Sequence, residues 1–179
     1  MKDNINEIIK NIIEFMWKEY GVIIIFSNEK LIEKTQLAFY KSMIIEKREK
    51  LDIIKVNLNN INSYKKDLGI NETKLFVLLH EIAHFLLLKA KYKQQEIYAD
   101  LIAYFIIQEL IFKENFINII SNILELIDFE NFSKIDESIS KDLKDISKLF
   151  IYKYRKFLKI NKWGENEKLL WRSEERRVG

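Results

Sequence analysis

The 179-residue chain contains no proline and only four glycines. At an average usage of about 5%, proline would occur roughly nine times in this length. Tight turns draw on these two residues, proline because its φ is preset and glycine because positive φ costs it nothing. A chain so poor in both cannot punctuate itself into many short strands, and this predicts a mostly helical fold. The length suits one domain with a sizeable core. With 48% apolar and 32% charged residues, it reads as a globular, water-exposed domain. Cysteine is absent, which excludes disulfides and thiolate metal ligands.

Hydrophobic spacing divides the chain. Ile5, Ile8, Ile9, Ile12, Ile13, Met16 and Tyr20 recur at helical intervals, predicting an amphipathic helix over 4–19 that Gly21 ends. Val22 to Phe26 is a short β-branched run and predicts a strand. Residues 29–35 suggest a helical turn, 37–46 a second strand, 46–50 a charged turn and 51–58 a third strand. Together these predict a small antiparallel sheet built on the 37–58 hairpin. From residue 59 the period changes. A polar stretch over 59–66 leads to a helix starting after Asn71, a plausible N-cap, and running to about Lys89. Further helices are expected over 94–112, 114–127 and 139–158, with 128–136 as a polar linker. The fold class is therefore α+β and mostly helical, with the small sheet packed against the helix after Asn71. One domain over 1–171 is expected. Residues 172–179 hold three of the five arginines and read as a non-native or frayed tail.

Charge and hydropathy narrow the partners. The net charge is +3, too small to indicate nucleic-acid binding, and no helix-turn-helix pattern is visible. Residues 141–171 hold nine Lys/Arg against four Asp/Glu, best read as a solvated helix face. The longest apolar stretches, 75–88 and 101–112, fall short of the roughly 20 residues of a membrane span. No signal peptide is evident at the start. The expectation is a cytoplasmic protein with no membrane association; oligomeric state is not legible.

The chemistry lies in the only two histidines. They form His80-Glu81-Ile82-Ala83-His84, the H-E-x-x-H pattern of zinc peptidases. Two histidines placed at random in this composition would fall four apart, with glutamate after the first, about once in a thousand chains, so the pattern is specific if a helix carries it. Positions i and i+4 share a helix face, so both imidazoles can reach one ion. Glu81 points off that face, where it can take a proton from a water at the metal. The surrounding residues Leu75, Phe76, Val77, Leu78, Leu79, Ile82, Ala83, Phe85, Leu86 and Leu87 make the helix apolar nearly all round, so it must be buried. Buried unsatisfied polar groups cost about 1–3 kcal/mol each, and one metal ion would satisfy all three. The bland alternative is a pair of hydrogen-bonded core histidines.

Catalytic zinc usually takes three protein ligands. With no further His or Cys, the third must be a carboxylate. Glu96 and Asp100 lie i and i+4 on the next expected helix. Glu96 would bind the metal, and Asp100 would accept a hydrogen bond from the far nitrogen of His80. For an oxyanion donor Tyr92, Tyr98 and Tyr104 are all near in sequence, and the choice stays open.

The segment from His80 to Leu87, followed by Glu96-x-x-Ala99-Asp100-x-x-Ala103, resembles the ImmA/IrrE family of small cytoplasmic metallopeptidases, which is gluzincin-like. The motifs cover about residues 75–107. The order of a helix, a small sheet and then the metal helix is also similar. Two features depart from the family: a shorter gap between His84 and Glu96, and Tyr98 where the family has a second acid. The resemblance implies a Zn2+-dependent endopeptidase acting on a protein partner, plausibly a helix-turn-helix repressor of a phage or mobile element. A regulatory zinc module acting by protein–protein interaction, with little or no proteolysis, is the alternative. Its docking surface would be the basic helix over 139–160.

Overall fold

A computed structural model describes residues 2–27, 38–45, 49–57, 70–112 and 129–161. The elements are α1 (Lys2–Tyr20), β1 (Val22–Ser27), β2 (Ala38–Ile45), β3 (Glu49–Asn57), α2 (Ile70–Lys89), α3 (Glu96–Phe112), a single turn α4 (Phe129–Phe132) and α5 (Glu137–Asn161). The sequence-based bounds lie within three residues of these for every element but α4, which the sequence did not mark. The turn expected at 29–35, the polar stretch at 59–66, the helix at 114–127 and the tail at 172–179 lie outside the described residues. No helix among the described residues is long and apolar enough to cross a membrane.

Helix α1 buries Ile5, Ile9, Ile12, Phe15 and Met16 in one stripe, the faces that meet at i, i+3, i+4 and i+7. It ends where Gly21 takes φ +67° and donates its N–H to the Trp17 carbonyl at 3.0 Å. Glycine adopts this left-handed cap without the Cβ penalty. The chain then enters β1 directly.

The sheet is mixed, which corrects the antiparallel sheet expected from the sequence. Strand order is β1-β3-β2. β2 and β3 pair antiparallel, as their short connection requires. β1 instead pairs parallel with the far side of β3, with Ile24 opposite Ile54 and Phe26 opposite Val56. Alternation along a strand marks its two faces but not its partner or direction. Those follow from where α1 delivers the chain. Val22, Ile24, Ile54 and Val56 are buried on the one face that these registers align.

Helix α2 is the centre of the molecule. It packs against α1, α3, β2 and β3, and all ten apolar residues that the sequence singled out on it are buried. The helix begins at Ile70, so Asn71 lies inside the first turn rather than capping it. Lys74 sits over the Phe26 ring at 3.9 Å, and burial lowers its pKa.

Helix α5 closes the other side of α1. Its buried stripe of Leu143, Ser147, Phe150, Ile151, Tyr154 and Phe157 meets Phe15. The Phe15 ring lies 5.3, 5.5 and 5.5 Å from Phe150, Tyr154 and Phe157, and 5.8 Å from Tyr20. Edge-on aromatic packing of this kind adds about 0.5–1.5 kcal/mol per pair beyond burial. The segment 128–136, expected as a polar linker, contains α4. Phe129 and Phe132 hold it against Tyr104 of α3, at 5.3 and 6.0 Å between ring centres.

Candidate metal centre

His80 and His84 stand one turn apart on α2, as their spacing requires. Their Nε2 atoms face each other at 3.2 Å. Glu96, the first residue of α3, spans both: one carboxylate oxygen is 2.8 Å from His80 Nε2 and the other 3.1 Å from His84 Nε2. The ligand atoms of His80, Glu81 and His84 lie within 4.8 Å of one another, close enough to hold a metal ion. Two Zn–N bonds of about 2.0–2.1 Å at a tetrahedral angle separate their nitrogens by about 3.3 Å. The 3.2 Å between the two Nε2 atoms is close to that separation, whereas the 2.8 Å from Glu96 to His80 is the spacing of a direct hydrogen bond.

The outer nitrogens are also held. His80 Nδ1 meets Asp100 Oδ1 at 2.7 Å, the partner expected from sequence. His84 Nδ1 meets Gln94 Oε1 at 2.8 Å, and Gln94 Nε2 donates to the His84 main-chain carbonyl at 3.1 Å. Gln94 was missed in the sequence reading because a lone polar residue in a connecting loop carries no periodic signal. Its only clue was position, two residues before Glu96 in a loop that must turn back over the last turn of α2.

That loop explains the short gap between the two motifs. Tyr92 N–H donates to the Leu87 carbonyl at 2.8 Å and Lys91 N–H to the Leu88 carbonyl at 3.1 Å. These are the paired 6→1 and 5→2 bonds of a Schellman cap. Its left-handed position is Lys91, at φ 56°. The cap reverses the chain within a few residues. Gln95 then opens α3, its carbonyl accepting the N–H groups of Tyr98 and Ala99 at 3.1 Å each. Gln94 thus comes to rest beside His84, and Glu96 beside both Nε2 atoms.

Burial sets the electrostatics. The two imidazoles are largely buried, at 15% and 14% side-chain exposure, whereas Glu96 is 80% exposed. The cluster is therefore walled by α2 and α3 and open on the Glu96 side. Burial pushes the His80 pKa down, but hydrogen bonds to Asp100 and Glu96 outweigh it and raise the pKa to about 10. The Glu96 carboxyl is held down to about 2, chiefly by its hydrogen bond to His80. Glu81 is 6% exposed. Burial raises its pKa, and the neighbouring Glu96 charge adds to this; His80 and His84 act in the opposite sense.

The three tyrosines considered as oxyanion donors are engaged elsewhere. Tyr92 donates to Asp142 at 3.0 Å, and Tyr104 accepts from Gln108. Tyr98 is buried with its ring edge-on to Tyr92. None of the three hydroxyls hydrogen-bonds to a member of the cluster. No family model matches the chain, and no curated protein or solved structure matches it either.

Proposed function

We propose that the chain is a zinc-dependent endopeptidase, with His80, His84 and Glu96 as ligands and Glu81 as general base. One observation carries this reading: two imidazole nitrogens and a carboxylate converge at 2.8–3.2 Å beside a second, buried carboxylate, Glu81. Zinc bound there would supply Lewis acidity towards a carbonyl oxygen and an attacking water. With the metal bound, Asp100 and Gln94 would hold the imidazole rings with both Nε2 lone pairs turned inward. Glu81, whose burial favours proton uptake, takes the proton of the water and returns it to the leaving amine. The open side at Glu96 is where a peptide would approach. The resemblance to ImmA/IrrE metallopeptidases supports a protein substrate, with a repressor of a phage or mobile element as the expected partner and the cytoplasm as the expected place of action.

The test has two stages. Elemental analysis of purified wild type beside Glu96→Ala should find one zinc per chain, lost or much weakened in the variant. Zinc-loaded wild type should then cleave a quenched-fluorescent peptide library, and Glu81→Gln should keep its zinc while losing cleavage. A wild type that takes up no zinc even after reconstitution overturns the proposal. Zinc uptake without cleavage, and with Glu81→Gln indistinguishable from wild type, would make the chain a binding module.

A further inference from the structure

We infer that Gln94 is a positioning residue that fixes the tautomer of His84 and aims its Nε2 lone pair into the metal centre. The argument starts at the His84 main-chain carbonyl, which can only accept hydrogen bonds. The Gln94 amide meets it at 3.1 Å, so the amide NH2 must be on that side. The amide oxygen then faces His84 Nδ1 at 2.8 Å. An amide oxygen is likewise only an acceptor, so Nδ1 must carry a hydrogen. In the neutral ring the lone pair then resides on Nε2, the atom 3.2 Å from His80 Nε2 and 3.1 Å from Glu96. A backbone group thus dictates the orientation of an amide, and the amide dictates the chemistry of the imidazole.

The two histidines are therefore held by unlike acceptors. Asp100 brings a charge to His80, whereas Gln94 brings none to His84. Glu81, Glu96 and Asp100 already bring three carboxylates to the two histidines. A neutral acceptor on His84 orients the ring without adding a fourth negative charge. The Schellman cap at Lys91 and Tyr92 places Gln94, so the turn after α2 belongs to the site as much as the helix does.

The inference rests on the metal-centre reading, and its test separates the two. Gln94→Leu removes both hydrogen bonds, while Gln94→Glu retains an acceptor for Nδ1. Long-range 1H–15N NMR of the metal-free proteins reads the His84 tautomer directly. Chelator competition reads zinc affinity, and circular dichroism checks the fold. The wild type and Gln94→Glu should carry the Nδ1–H form. Gln94→Leu should show the Nε2–H form and bind zinc tenfold to a hundredfold more weakly, the usual loss when a partner of a ligating histidine is removed. Persistence of the Nδ1–H form alone in Gln94→Leu overturns the inference, as does zinc affinity within threefold of a wild type that binds zinc. A wild type that binds no zinc overturns the proposed function, and the tautomer still decides the role of Gln94.

Discussion

Metal loading should expel about one proton per chain at neutral pH. In the metal-free protein the His80 pKa is raised to about 10 from the ordinary imidazole value of 6.5, so at pH 7 the ring is almost fully protonated. Its Nε2 lies 2.8 Å from Glu96 and is the atom that must bind the ion. Ligation requires the deprotonated ring, so the proton has to leave. Titration calorimetry with zinc at pH 7, in buffers of different ionisation enthalpy, measures this number as the slope of heat against buffer enthalpy. The expected slope is near one. Apparent affinity should rise about tenfold per pH unit between pH 7 and 9 and level off near 10. A slope near zero would refute the reasoning, because His80 would then either lack the proton or not be a ligand. The same shifts set the stability of the metal-free form. The raised His80 pKa gives stability that is complete below about 6.5 and lost as pH rises through about 10. The lowered Glu96 pKa gives stability that is present above 4.5 and lost as pH falls towards about 2. Metal-free protein should therefore gain most from this pair between about pH 4.5 and 6.5.

Three further outcomes are expected. Asp100→Ala removes the acceptor on His80 Nδ1 and should weaken zinc binding about tenfold even at about pH 11, where the His80 proton competes little; chelator competition showing less than a twofold change would argue against its orienting role. Phe15→Ala empties a fully buried site ringed by four aromatic side chains and should cost about 3–5 kcal/mol in urea unfolding; a loss under 1 kcal/mol would mean that α1 and α5 do not depend on that contact. Lys91→Gly relieves a left-handed φ of 56° and should stabilise the protein by about 0.5–1 kcal/mol, read as a rise in Tm; a fall would show that the Lys91 side chain contributes more than its backbone strain removes.

The sequence by itself determined the elements whose cause is local. The absence of proline marked a helical chain, and the 3.6-residue spacing in α1 marked a helix, because a helix satisfies its backbone within its own segment and shows its buried face as a period. The i, i+4 spacing of His80 and His84, and of Glu96 and Asp100, brought each pair to one helix face for the same reason. The sequence did not determine which strand β1 would join. Its parallel pairing with β3 depends on the position in which packing of α1 leaves the chain, a separation that no local pattern encodes. Nor did it mark Phe15 as the hub between α1 and α5, since a ring one residue from the expected stripe gains its weight only from what packs opposite it. Gln94 is the clearest case. Its role exists only because a tight cap after α2 folds it onto the main-chain carbonyl and the Nδ1 of His84, ten residues earlier, and hydrogen bonds between different segments are decided by tertiary structure, where the backbone brings donor and acceptor within reach or does not.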